Sequence, residues 1–370
     1  MYVSSIKLVN YRNYDCTSVE FDKNINIIYG KNAQGKTNLL ESIYLFSAGK
    51  SHRTNKDREL IHFNKDYANI QMFFTNKDGE KSGEMILSHN QKKRIKINGV
   101  PIKKIGELMG FFIAVLFSPE DLNLVKEGPV HRRRFLDICI SQIRPAYFFH
   151  LQQYMKVLEQ RNNLIKRIYE KDSLMDTLSV WDQKLVEHGS RIMYYRISFI
   201  ENIKKIAKAI HSSITKEAEI LEIEYVPCFN IKNVKSISDV EEEFYRQLKK
   251  WNSKEIKNGI TLIGPHRDDI SFLINGTSVR NYGSQGQQRT VVLSLKMAEM
   301  EFIKENIGEY PVLLLDDIMS ELDSSRQSYI LGKMEDKQVI ITCTDVERFK
   351  GFCDAKYFKV EKGNIQKGGI

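Results

Sequence analysis

Asn24-Ile25-Asn26-Ile27-Ile28-Tyr29 runs straight into Gly30-Lys31-Asn32-Ala33-Gln34-Gly35-Lys36-Thr37, and this stretch decides the fold. The second half is a complete G-x-x-x-x-G-K-S/T loop. The first half is an apolar segment of strand length. After the loop, Thr37 to Ala48 places Leu39, Leu40, Ile43, Tyr44 and Phe46 at helical spacing, with Gly49 as the stop. Strand, Gly-rich turn and helix aim successive backbone N–H groups at a polyphosphate, and the helix N-terminus adds positive partial charge. In that geometry the loop residues Gly30 to Thr37 and the adjoining Asn38 surround the phosphates. Lys36 reaches the β- and γ-phosphates, and the Thr37 hydroxyl takes one position on Mg²⁺. The stretch therefore predicts binding of a nucleoside triphosphate with Mg²⁺.

Composition sets the outer limits. The chain has 370 residues, long for a single core, and two lobes are expected. With 42% hydrophobic and 28% charged residues it reads as soluble and globular. No run approaches the roughly eighteen apolar residues a membrane span needs, and Met1-Tyr2-Val3-Ser4-Ser5 is no signal peptide. Cys16, Cys139, Cys228, Cys343 and Cys353 are scattered, none within metal-ligand spacing of another, and read as reduced thiols of a cytoplasmic protein. A net charge of +9 favours a polyanionic partner.

The chain changes texture twice. Residues 1–120 read as strand-rich around the P-loop helix, with strands at Tyr2 to Val9, Cys16 to Phe21, Ala68 to Phe74, Glu84 to Ser88 and Ala114 to Phe117. Asn98-Gly99 marks a tight hairpin. Residues 121–258 read as a helical lobe with a short antiparallel helical arm. A helix from Pro145 to about Lys171 would span about 40 Å at ~1.5 Å per residue, and a second long run covers Met175 to Glu217. Residues 259–370 return to α/β. Strands are expected at Thr261 to Ile263, Ile270 to Ile274, Thr277 to Val279, Val312 to Leu315, Val339 to Thr342 and Tyr357 to Val360. Strands at both chain ends with helices between them imply one ATPase lobe, assembled from 1–120 and 259–370, carrying a helical insertion.

Leu313-Leu314-Leu315-Asp316-Asp317 supplies the acidic partner of the loop. A carboxylate at the C-terminal end of a buried parallel strand can hold the Mg²⁺ shell, which makes Asp316 the metal-side candidate beside Thr37. Asp317 is placed to orient or deprotonate the attacking water, with Lys36 as the other catalytic candidate. Gly283-Ser284-Gln285-Gly286-Gln287 is a second turn feeding a helix start.

With these motifs in place the sequence resembles the ABC-type ATPase heads. Their signature is a Ser-x-Gly-Gln turn ahead of the acidic strand, matched here by Ser284, Gly286 and Gln287, with Gln285 in place of the usual first glycine. Ser320-Glu321-Leu322-Asp323 matches the D-loop. The resemblance implies two ATP molecules sandwiched in a homodimer, the signature of one subunit on the γ-phosphate held by the other. It narrows through Asn10-Tyr11-Arg12-Asn13-Tyr14, Ser51-His52-Arg53, Phe117 to Leu122, Arg132-Arg133-Arg134-Phe135-Leu136-Asp137 and Gly264-Pro265-His266-Arg267-Asp268-Asp269. As a set these resemble the RecF family, bacterial recombination-mediator ATPases related to the SMC heads. That resemblance implies an α/β P-loop head with mixed sheets around the P-loop helix. It also implies slow, DNA-dependent ATP hydrolysis, and binding to duplex DNA and single-strand/duplex junctions. Cooperation with RecO and RecR in directing RecA onto gaps coated with single-strand-binding protein is implied too, in the cytoplasm at the nucleoid and without a membrane.

The sequence departs from the general ABC pattern in two places. Asp317 replaces the catalytic glutamate, one methylene shorter, and Cys343-Thr344-Asp345 stands where a switch histidine is usual. Glu120 or Asp121 occupies the region of the Q-loop. Arg53 resembles the arginine by which SMC-type heads link DNA contact to ATPase activity. Arg132, Arg133, Lys92 and Lys93 are further candidates for backbone phosphate, each set against the plainer reading of a solvated or salt-bridged face. His266 and Arg267 could serve the nucleotide or hold lobes together. Two rival classes are a transporter nucleotide-binding subunit and a P-loop nuclease. The long insertion speaks against the first. The second needs a downstream acidic cluster, and the chain ends about fifty residues after Asp316.

Overall fold

In the computed structural model, residues 1–168, 175–231, 234–349 and 355–368 are described. The end of the helix expected to reach Lys171, and Cys353, lie outside them. The chain divides into two units, Met1–Leu122 with Leu295–Ile370, and Asn123–Ser294.

The first unit holds two six-stranded sheets. One is antiparallel, in the order Tyr14–Glu20, Tyr2–Tyr11, Tyr67–Asn76, Gly79–Ser88, Arg94–Ile97 and Val100–Pro101. Along Tyr67–Asn76 the residues Ala68, Ile70, Met72 and Phe74 are buried in alternation, the signature of a sheet with one packed face. The Asn98-Gly99 turn has positive φ at both positions, 51° and 79°, as the sequence requires. The first hairpin turns tighter than expected, because its strands run on to Tyr11 and resume at Tyr14.

The other sheet has the order Asn364–Gly368, Ala355–Glu361, Ile25–Tyr29, Val339–Cys343, Val312–Asp316 and Ala114–Phe117. Its pairings are parallel except for the hairpin Ala355–Glu361/Asn364–Gly368. Val312–Asp316 is buried throughout because parallel neighbours flank it on both sides, which is why its sequence is continuously apolar. The P-loop helix, Lys36–Ala48, is buried on nearly every side. Phe46 lies where a Cβ at Gly83 would approach its ring to 2.7 Å. Ser47 exchanges hydrogen bonds with the backbone of Ala114 in the parallel sheet. Ile25–Tyr29 leads into the loop, and the C-terminal end of Val312–Asp316 lies two strands away in the same parallel direction. Both therefore open at one edge of the sheet, the usual place for a ligand in an open α/β fold.

The second unit contains helices Pro129–Ile143, Pro145–Ile168, Met175–Ile214 and Ile237–Asn258, and a three-stranded sheet Thr277–Ser278, Asp269–Ile274, Leu221–Val226. The sequence reading placed the return to the ATPase lobe at 259, whereas the division falls at 294/295. The reason is pairing: Asp269–Ile274 runs antiparallel along the whole of Leu221–Val226. Thr261 to Ile263 is not a strand. Its backbone N–H groups are taken by side chains instead, Thr261 donating to Asn162 Oδ1 at 2.8 Å and Leu262 to Glu255 Oε1 at 2.8 Å.

Arg161 is fully buried in this unit, its guanidinium paired with Asp182 at 2.7 Å and Glu255 at 2.7 Å and donating to Thr261 Oγ1. Removing one member of a buried ionic cluster leaves the others desolvated and uncompensated. Arg161→Met is expected to destabilise the fold by about 3–5 kcal/mol, read as a shift of the urea unfolding midpoint.

Candidate nucleotide-binding site

Two segments clamp the Gly-rich loop from outside. Asn13 Nδ2 donates to the Gln34 carbonyl at 2.8 Å, and Tyr14 Oη donates to the Gly35 carbonyl at 2.9 Å. From the last hairpin, the Gly363 N–H also donates to the Gln34 carbonyl at 3.2 Å, and the Lys362 N–H donates to Gln34 Oε1 at 2.7 Å. Gly35 adopts φ 120°, and a Cβ there would sit 2.7 Å from the Asn13 amide and 2.9 Å from the Tyr14 hydroxyl. Only glycine lets the hairpin close on the loop. Asn38, on the helix, donates to Asn13 Oδ1 at 2.8 Å.

Inside the clamp, Lys36 donates from Nζ to the carbonyls of Gly30 at 2.7 Å and Lys31 at 2.9 Å. Burial lowers its pKa, opposed by the negative charge of Asp317 and Asp316. Asp316 is 6% exposed, and its Oδ1 accepts from Thr37 Oγ1 at 2.9 Å and from Thr342 Oγ1 at 2.7 Å. Burial raises its pKa, while the hydrogen bonds from Thr342 and Thr37 pull the other way. A hydroxyl and a carboxylate this close form an all-oxygen donor set. They suit a hard cation that keeps most of its water and takes its other ligands from phosphate, as Mg²⁺ does. Asp317 sits in the left-handed region at φ 52°, its N–H donating to Thr342 Oγ1 at 2.9 Å and its carbonyl accepting from Ser320 at 2.7 Å. Aspartate tolerates that conformation better than most residues.

A residue the sequence reading missed organises the back of the site. Glu41, on the P-loop helix, has no exposed surface. Arg12 grips it with two hydrogen bonds, Nε to Oε2 at 2.9 Å and Nη2 to Oε1 at 2.8 Å. Tyr11 Oη donates to it at 3.1 Å and Ser51 Oγ at 2.5 Å. The available signal was an acid inside an otherwise apolar helix face, with Asn-Tyr-Arg upstream. Arg53 joins the same cluster, donating to Asn38 Oδ1 at 2.8 Å and lying 3.8 Å from Glu41.

Other proposed residues sit differently. Arg132, proposed for DNA, is 2% exposed and grips Asp269 through two hydrogen bonds, at 2.6 and 3.0 Å. Its remaining guanidinium nitrogen donates to the carbonyls of Leu124 and Glu127, so it holds the second unit together rather than facing a phosphate. Arg133 is half-buried and donates to the Asp268 carbonyl at 2.8 Å. Lys93 is engaged with the Gly49 carbonyl and Asp57, while Lys92 is exposed. Asp121 accepts from the Ser118 N–H at 2.7 Å as a local cap, and Glu120 is exposed. In the second unit Ser284 and Gln287 cap the helix Gln285–Ile307 reciprocally, Gln287 N–H to Ser284 Oγ at 3.2 Å and Ser284 N–H to Gln287 Oε1 at 2.9 Å. Gln287 Nε2 also donates to Glu219 at 2.9 Å. Gly286 lies in that first turn.

Residues 2–366 match the model of the RecF/RecN/SMC N terminal domain. The chain is 48% identical over 365 residues to the DNA replication and repair protein RecF of Acetivibrio thermocellus, covering 98% of this chain and 99% of that one. The chain belongs to the RecF family. The RecF of Clostridium tetani is 46% identical over 365 residues, with the same coverage. A solved structure described as the recombination mediator protein RecF-ATP in the RecFOR pathway superposes with a TM-score of 0.94 at 42% identity, covering 100% of this chain and 98% of that one. A Pyrococcus furiosus Smc head superposes with a TM-score of 0.58 at 14% identity, covering 100% of this chain and 96% of that one, and so shares the fold. The RecF architecture is accordingly an ABC-type ATPase head, the α/β class the P-loop implied.

Glu41 also carries a pH signature. Burial raises its pKa, but hydrogen bonds from Arg12 and Ser51 and the Arg12 charge outweigh that and hold it below the usual carboxylate range. A carboxyl with a depressed folded pKa stabilises the fold above its unfolded pKa, and the contribution is lost as pH falls through the folded value. Glu41→Gln is therefore expected to be less stable than wild type by a constant amount near neutral pH. The gap should narrow as unfolding is measured at pH values falling below about 4.5.

Proposed function

We propose that this chain is an ATP-switched DNA-binding protein of replication and recombinational repair. The observation that carries the reading is the meeting of the P-loop and the acidic strand, with Thr37 Oγ1 2.9 Å from Asp316 and Lys36 lying over the loop. On binding ATP, the Lys36 ammonium exchanges the Gly30 and Lys31 carbonyls for β- and γ-phosphate oxygens. Thr37 and Asp316 would hold Mg²⁺, which neutralises charge developing on the phosphates. Asp317 positions the attacking water and takes its proton. Its side chain is one methylene shorter than glutamate, which favours slow turnover suited to a switch.

ATP in turn brings two copies together, with Ser284, Gly286 and Gln287 of each copy on the γ-phosphate bound by the other. The pair binds duplex DNA next to single-strand gaps through exposed cations, Arg53 and Lys92 among them, and DNA stimulates hydrolysis, which resets the pair. RecO and RecR are the expected partners in loading RecA. The RecF relatives' names and the ATP-bound structure described for the RecFOR pathway support this reading. Among the described residues no helix is long and apolar enough to cross a membrane, and a cytoplasmic, nucleoid-associated location is proposed.

Two measurements test it. Lys36→Ala is expected to lose ATP binding, whereas Asp317→Asn keeps it and loses turnover by about 10²-fold or more. Unchanged turnover in Asp317→Asn moves the base elsewhere. In sedimentation, wild type should shift from monomer toward dimer with ATP, and Ser284→Arg should remain monomeric while still binding ATP. A dimer independent of nucleotide and of Ser284 would overturn the sandwich.

A further inference from the structure

Two basic doublets, separated in sequence by the Asn98-Gly99 hairpin, converge on one cavity. Lys92-Lys93 and Lys103-Lys104 line opposite stretches of a half-open pocket of about 360 Å³ in the first unit. Of its aliphatic residues Leu87 and Ile95 are buried beneath it, and Ile102 and Ile105 are half-buried and supply the apolar face. Lys92, Lys103 and Lys104 are exposed, and Lys92 and Lys103 form no ion pair among the described residues. Lys93 is the exception. Its ammonium bridges Asp57, the acid in the lining, to the Gly49 carbonyl at the C-terminal end of the P-loop helix.

We infer that this pocket takes one unpaired nucleotide unit of a nucleic-acid strand, its phosphate on Lys92, Lys103 and Lys104 and its sugar and base against the aliphatic lining. The inference rests on the DNA-binding reading above and adds a place where single-stranded and duplex DNA are told apart. The chemistry selects this ligand in three ways. The lysine ammoniums offer compact point charges to phosphate oxygens. The apolar lining offers a face to a base or sugar, which a bare inorganic anion would leave unused. The volume lies at the low end of small-ligand pockets, enough for one nucleotide and far too small for stacked base pairs. The polar groups Ser88 and Gln91 are few, so the site should tolerate any base.

The test compares wild type, Ile102→Trp and Lys103→Glu, each with ATP at one salt concentration. Fluorescence anisotropy is measured on a blunt duplex, on the same duplex with an oligo-dT overhang, and in competition with free dTMP and a poly-glutamate peptide. Wild type should bind the overhang substrate about tenfold tighter than the blunt one, equivalent to about 1.4 kcal/mol. Ile102→Trp fills the pocket without changing charge and should abolish that preference while blunt-duplex affinity holds. Lys103→Glu should weaken the overhang substrate more than the blunt one. Competition by dTMP that specifically removes the overhang preference also supports the site. Equal affinity of wild type for both substrates overturns the inference, and so does a preference that survives both substitutions. Competition by poly-glutamate but not by dTMP overturns it in favour of an acidic protein partner. Loss of all duplex binding by folded wild type would instead refute the DNA-binding reading itself.

Discussion

A single buried carboxylate ties the nucleotide end of the first unit together. Glu41 is fully removed from solvent, and an isolated ionised acid there would be prohibitively costly. It is tolerated because Arg12 meets it with a two-pronged grip and Tyr11 and Ser51 fill its remaining acceptor sites. The donors come from two separate places. Tyr11 and Arg12 belong to the first hairpin, and Ser51 lies just past the P-loop helix. Arg12 also donates to the Glu59 carbonyl and so fixes the segment beyond. Satisfying one charge therefore fixes three backbone segments around the helix that carries Lys36 and Thr37. The neighbouring residues Asn13 and Tyr14 then reach the loop itself.

The P-loop threonine and the acidic strand are tied to that frame by hydrogen bonds. Thr37 and Thr342 both donate to one oxygen of Asp316, so the carboxylate is aimed before any ligand arrives. Thr342 serves twice, since its hydroxyl also accepts the Asp317 N–H and holds that residue in its left-handed turn. Lys36, lying on two loop carbonyls, has partners of modest strength that a polyphosphate can displace.

The second unit uses the same device with arginine at the centre. Arg196 is 2% exposed and donates to Tyr147, to the Pro265 carbonyl at 2.6 Å and to Asp137 at 2.8 Å, with Asp268 3.6 Å away. Asp268 in turn accepts from Tyr225 and from the Cys228 N–H. His266 meets Tyr154 Oη at 2.6 Å and is pushed down to about 4 by burial, so it is neutral at physiological pH. Gly264 carries φ 125°, and a Cβ there would strike the Tyr154 hydroxyl at 2.3 Å. The Gly264 to Asp269 motif thus has an internal bonding role in this unit, and Arg267 donates to the Thr261 carbonyl.

Sequence alone determined the elements whose cause is local. The P-loop, its flanking strand and helix, the Asn98-Gly99 turn and the all-apolar Val312–Leu315 strand follow from spacing, positive φ and burial on both faces. Each of these is written in a few consecutive residues. Tertiary structure decided what depends on partners far away in the chain. Arg132 and Lys92 look alike in sequence, yet one is buried against Asp269, 137 residues later, and the other lines an open pocket. Glu41 interrupts an apolar helix, and its reason is Arg12, 29 residues earlier in the chain. Asp269–Ile274 belongs with the second unit because its pairing partner is Leu221–Val226. A charged side chain carries no local mark of whether its counter-charge will meet it inside the fold. Its fate is fixed only when packing sets the price of leaving it unpaired.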